Sequence, residues 1–353
     1  MTRPTFIVGT GRCGSTMLSN LLRQHPHIAS VSEFFSTVCD LGGRIPDLFT
    51  EDALDGARFW ALISAINPRE RLTLRHGVAM PEVIYPYDSP AARYSPESGV
   101  PAILQVTLPH LTDQPDALFD ELREQVVTWP AAPIRAHYEA LFSWLAQRLG
   151  KRLWVERTGG AFVIIEPLHA MFPDARYLHI VRDGRDTALS IREHLGFRIF
   201  ILGSMMTELL GVDPYAAPDP SHVERVPSPL RALLPGGFDA QAFRDYRVPL
   251  EMCGQLWSQQ IANGLGVLAT VPAESQLTVR YEDILADPSA QLGRMAEFFG
   301  DEFVDRDWIA SCAALVRSPR SSWRSLPEAE ADALTAACQP GFELLRAAGV
   351  EYP

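Results

Sequence analysis

GTGRCGST, residues Gly9 to Thr16, stands directly behind the apolar run Phe6-Ile7-Val8. Two glycines five positions apart, followed by two hydroxyl residues, outline a loop that wraps a phosphate. In a triphosphate loop of this shape lysine precedes the final hydroxyl, whereas here Ser15 stands in its place. Among 31 Lys+Arg the one lysine is Lys151. A lysine-poor composition accounts for arginine in place of lysine, but not for serine. Arg12, inside the loop, is where the displaced charge would sit.

The flanks suit such a loop. Thr5 to Val8 reads as a short buried strand, and Met17, Leu18, Leu21 and Leu22 share one helical face that His25-Pro26 brings to an end. Glycines free the backbone N–H groups to curl around an anion, and the helix adds its positive N-terminal end. Arg152 to Val155 reads as a second strand and Arg176 to Val181 as a third. The turn Arg182-Asp-Gly-Arg185 and a helix capped by Asp186 follow. Gln276 to Tyr281 makes a fourth strand, and a helix from about Ser289 to Phe299 is closed by Gly300. Ser325-Leu-Pro-Glu328 fits a capping box for a helical tail.

Strands alternating with helices predict an α/β fold: a mostly parallel central sheet flanked by helices, with ligands at the strands' carboxyl ends. Residues from about 41 to 149 and 197 to 249 break the rhythm with mixed helical patterns and proline-rich turns. They read as largely helical, substrate-side insertions. The expected organisation is one domain over 1–353, its P-loop-like core at about 1–40, 150–196 and 250–353.

A net charge of -12 argues against nucleic acid or an anionic membrane as partner. An anionic ligand therefore has to be met by a local arginine cluster. Five scattered cysteines, odd in number and without a C-x-x-C pair, suit free thiols in a reducing compartment. The opening MTRPTFIVG is too poor in apolar residues for a signal peptide. No stretch approaches the roughly 18 apolar residues of a membrane span. The expectation is a cytoplasmic chain without stable membrane insertion; its oligomeric state has no signature in the sequence.

Arg182 closes the third strand, so it faces the same crevice as the first loop. Ser190, eight residues on in the next helix, would share a phosphate with it. Two other readings of the segment stay open: a surface ion pair between Asp183 and Arg185, and Asp183 as the magnesium-binding acid of an ATPase-type site.

On these residues the chain resembles the sulfotransferases, bacterial members included, that use 3′-phosphoadenosine-5′-phosphosulfate (PAPS). Phe6 to Leu22 is similar to that family's 5′-phosphosulfate loop, and Arg176 to Ile191 to its 3′-phosphate segment. Val279-Arg-Tyr-Glu-Asp-Ile284 with Pro288 resembles its later strand and helix. The three stretches are spread from end to end of the chain, in the family's order.

The resemblance implies a donor site made of Gly11, Arg12, Cys13, Gly14, Ser15, Thr16, Arg157, Arg182, Ser190 and Tyr281. It also implies a bisphosphate product (PAP), no metal ion, and Arg12 offsetting charge on the leaving group. Glu33, reached from the His25-Pro26 turn, takes the place of the family's general base, with His110 as its rival. Trp154-Val-Glu-Arg157-Thr158 resembles the "EKTP" segment of bacterial members, with Arg157 for lysine and Gly159 for proline. Ser318 to Trp323 resembles the loop over the 3′-phosphate, its charge coming from Arg317, Arg320 or Arg324. The acceptor would be a small-molecule, lipid or carbohydrate hydroxyl. The competing class, a P-loop kinase or NTPase using ATP and magnesium, calls for lysine at position 15 and an acid closing the third strand.

Overall fold

The computed structural model describes residues 3–317 and 322–352. Its strands are β1 (Thr5–Val8), β2 (Ile28–Ser32), β3 (Ala53–Leu54), β4 (Ala132–Pro133), β5 (Leu153–Arg157), β6 (Arg176–Val181) and β7 (Gln276–Arg280). Five of them form one parallel sheet in the order β2-β5-β1-β6-β7. β3 and β4 pair separately and antiparallel. β1 is thus the central strand of the large sheet, and the loop behind it emerges at mid-edge.

The chain divides into two compact units. The first comprises Met1–Glu33, Arg135–Ile191 and Pro249–Pro353, and holds the parallel sheet. Successive strand residues face opposite sides, so a sheet covered on both faces needs apolar residues throughout. Ile7 joins Leu18, Leu22, Val155, Ile180, Val279 and Met295 in a cluster that binds one face to the helices Ser15–Arg23 and Pro288–Phe299. On the other face Phe6 meets Trp154, Phe172 and Tyr177. Phe6-Ile7-Val8 is apolar for that reason.

Several expected boundaries move. β5 starts at Leu153 and runs two residues past Val155, because Glu156 and Arg157 are buried and paired rather than solvated. β7 stops at Arg280, and Tyr281 opens the helix Tyr281–Ala286. The helix after β6 is Gly184–Glu193; Asp183, not Asp186, accepts its first-turn N–H, from Arg185 at 2.9 Å. The helix predicted from Ser289 begins at Pro288 behind Asp287, whose side chain accepts from Ala290 N. The expected capping box is absent: the tail helix Glu328–Ala347 starts behind Pro327, while the Ser325 hydroxyl donates to Ser322 O.

The second unit comprises Phe34–Ile134 and Arg192–Val248. It is helical apart from β3 and β4, and the long helix Leu195–Leu210 packs Ile199, Leu202 and Met206 against Val78, Tyr215, Leu233 and Phe243. No helix among the described residues is long and apolar enough to cross a membrane.

Candidate active site

Each parallel strand delivers a polar element at its carboxyl end, where open α/β sheets bind ligands. Across the edge these are Glu33 behind β2, Arg157 closing β5, the Gly9–Thr16 loop behind β1, Arg182 behind β6 and Tyr281 behind β7.

The loop turns through left-handed backbone at Gly11 (φ 74°), Arg12 (φ 53°) and Gly14 (φ 96°). Gly14 has no room for a side chain, since a Cβ there would lie 2.3 Å from the Tyr281 ring. For arginine the left-handed conformation costs about 1–2 kcal/mol, so partners must hold it. Arg12 Nε donates to Ser190 Oγ at 3.1 Å, and Arg182 Nη1 donates to the Arg12 carbonyl at 3.2 Å. The Arg182 guanidinium in turn lies 5.0 Å over the Tyr281 ring. Residues 12, 182, 190 and 281 therefore meet at one place. Within the loop the Cys13 side chain points into the apolar core, where burial raises its pKa, leaving its backbone as the part a ligand could use. Ser15 is buried against Cys13, and Thr16 is exposed.

The turn behind β6 is framed from three sides. Asp183 N donates to Glu282 Oε1 at 3.0 Å, and Glu282 Oε2 accepts from the Tyr352 hydroxyl at 3.1 Å. Arg185 grips both oxygens of Asp183, at 3.0 and 2.6 Å, and stacks 3.8 Å over Trp323. The ion-pair reading of this segment is correct, but the pair is buried rather than on the surface. It engages both Asp183 oxygens and leaves Arg182 to face the loop. Of the expected closing loop, Ser318 and Arg320 lie outside the described residues. Arg317 donates to Ala314 O and Val316 O at a helix end, and Arg324 lies against Trp323.

At the other end of the edge Glu33 also has left-handed backbone (φ 55°), and its N–H donates to Arg157 O at 2.7 Å. Its carboxylate is held at both oxygens: Arg157 Nη1 donates to Oε1, and Gly159 N donates to Oε2 at 2.8 Å. Arg157 Nη2 reaches Ser32 Oγ at 2.8 Å, while its buried Nε has no hydrogen-bond partner. Arg157 is near enough to the loop for its charge to act on Cys13. Its acidic partner is Glu33, and Glu156 accepts from the Thr158 hydroxyl. His110 belongs to the second unit, buried in the helix Thr107–Leu111.

Sequence reasoning gave no role to Ser32 or Glu282 and left Gly159 as a mere departure from pattern. Glu282 lay in a quoted motif, so its neighbours were the available signal. A backbone N–H such as that of Gly159 leaves none.

Residues 4–203 match the model of the Sulfotransferase family, more than half of the chain. The chain belongs to that family. No curated relative matches it. Among solved structures, this sulfotransferase-family chain is similar to the sulfotransferase domain from the curacin biosynthetic pathway (17% identity, TM-score 0.45, 100% of this chain and 99% of that one). It is likewise similar to the sulfotransferase domain from the Synechococcus PCC 7002 olefin synthase (17%, 0.43, 100% and 98%). A third is a sulfotransferase from Alicyclobacillus acidocaldarius (16%, 0.42, 100% and 98%).

Proposed function

We propose that this chain transfers the sulfuryl group of PAPS to the hydroxyl of a small-molecule, lipid or carbohydrate acceptor, releasing PAP. Residues 1–353 are read as one cytoplasmic sulfotransferase domain. The observation that supports the donor most is the meeting of Arg12, Arg182 and Ser190 beside the glycine loop. A ribose phosphorylated at two positions needs two anion-binding points. The loop with its helix N-terminus provides one, and Arg182 with Ser190 the other.

Sulfuryl transfer by in-line displacement demands positioning and stabilisation of leaving-group charge. The acceptor oxygen bonds to sulfur as the bond from sulfur to the phosphate oxygen breaks. Arg12 and Arg157 are the cations for the charge that grows on that phosphate. The acceptor's proton passes to the Glu33 carboxylate. This scheme leaves no task for a lysine at position 15, which would reach along a triphosphate. That is the reason for serine in the loop.

Calorimetric titration with 3′,5′-adenosine bisphosphate, and separately with ATP plus magnesium, tests the reading. The bisphosphate is expected to bind and ATP-magnesium to bind far more weakly. The reverse order would return the chain to the kinase or NTPase class. A screen of alcohols, phenols, sugars and lipids with [35S]PAPS then identifies the acceptor.

A further inference from the structure

We infer that the backbone N–H of Gly159 is a positioning group for the reaction, acting through Glu33; this rests on the reading of Glu33 as general base. A base must present a lone pair within hydrogen-bond reach of the acceptor's proton, which requires a carboxylate fixed in both place and rotation. Glu33 starts from left-handed backbone (φ 55°), a conformation that glutamate rarely adopts. Arg157 Nη1 donates to Oε1. Gly159 N donates to the other oxygen, Oε2, at 2.8 Å, and so bears directly on the rotation of the carboxylate.

Residue 159 must meet two conditions to do this. It has to carry an N–H, which proline lacks. It also has to be nearly free of side chain, because a Cβ there would lie 2.9 Å from Glu33 Oε1 and 3.3 Å from Oε2. Glycine meets both. The departure from the proline of the "EKTP" pattern is thus an added hydrogen bond to the base.

The test compares Gly159→Pro, Glu33→Gln and the double variant, with 2-naphthol and 1-butanol as probe acceptors and [35S]PAPS as donor. Glu33→Gln is expected to lose about 10²- to 10⁴-fold in turnover. Gly159→Pro is expected to lose roughly ten- to a hundredfold, the cost of a misplaced catalytic group, with the donor KM unchanged. The loss should be larger for 1-butanol, which needs its proton removed more than the acidic naphthol does. In the Glu33→Gln background the proline should cost nothing further, because its target is gone. A Gly159→Pro enzyme with full turnover beside an inactive Glu33→Gln enzyme overturns this inference alone. So does a loss that adds in full in the double variant, which would mark Gly159 as merely structural. Full turnover in Glu33→Gln overturns the base reading and the inference with it. If the proline variant does not fold, glycolic acid introduced at position 159 by nonsense suppression replaces the N–H with an ester oxygen and gives the same comparison.

Discussion

Arg12 holds an unfavourable backbone conformation in order to place its guanidinium beside Ser190, and its carbonyl is in turn held by Arg182. A strained cation so fixed suits charge that develops during reaction rather than charge already present in the bound donor. Arg12→Ala should therefore lower single-turnover rates with [35S]PAPS by about 10²- to 10³-fold while donor affinity changes little. Unaltered turnover would dismiss the role. On the proposed reading Arg182 has a different task, binding the resting anion. Arg182→Ala should weaken 3′,5′-adenosine bisphosphate by roughly 1.5–3 kcal/mol, as for other charge-assisted contacts, measured by calorimetry. An unchanged dissociation constant would remove it from the site. Both arginines were legible because each stands in a motif with a physical mechanism. The grip on Glu33 was not, because Ser32 and Gly159 carry no charge, and what Gly159 contributes is backbone.

The elements read most clearly where both faces of a strand are covered, as at Phe6-Ile7-Val8 and Arg176–Val181, and least clearly at their ends. Arg157 shows why: a buried arginine looks like the polar stop of a strand until its partner Glu33, 124 residues away, is known. The tail helix Glu328–Ala347 is helical as expected and carries Pro340 in its interior. Proline there lacks an N–H and crowds the preceding turn. Ser258, from the neighbouring helix Leu250–Leu268, repairs the opening: its hydroxyl donates to Ala337 O at 2.9 Å and accepts from Gly341 N at 3.3 Å. The adjacent Trp257 packs against Gly184, in the first turn of the helix behind Arg182, so the repair supports the donor-side turn. Ser258→Ala removes this partner from a part-buried carbonyl and a buried N–H. It should cost about 1–3 kcal/mol in urea unfolding. Wild-type stability in that variant would mean that the splice contributes nothing.

At the scale of the whole molecule, buried ionisable groups set how stability depends on pH, and the two units pull in opposite directions. In the first unit His179 lies deep in β6, where burial pushes its pKa down to about 3. The unfolded chain takes up that proton near pH 6.5, so His179 costs stability as pH falls below about 6.5 and nothing above it. In the second unit Glu70 is buried with neither carboxylate oxygen hydrogen-bonded. Burial, then the nearby Asp40, raises its pKa from 4.5 to about 8. Asp40 itself is raised to about 6, first by burial. These acids are protonated in the fold at pH values where the unfolded chain has released the proton. The stability they lend is complete below their unfolded pKa values and is lost as pH rises through the folded ones. None of this was readable from the sequence, since Asp40 and Glu70 stand in segments where surface acids are the ordinary case. Between about pH 6.5 and 8 the contributions of His179 and Asp40 are nearly spent, and Glu70 is the group still changing. The thermal midpoint of the wild type should therefore fall across that window, with a slope of up to about 1.4 kcal/mol of stability per pH unit. Glu70→Gln, neutral at every pH, should abolish the fall and leave the protein more stable than wild type at pH 8. If calorimetric scans at several pH values show the same slope in wild type and variant, the proton is not held at Glu70.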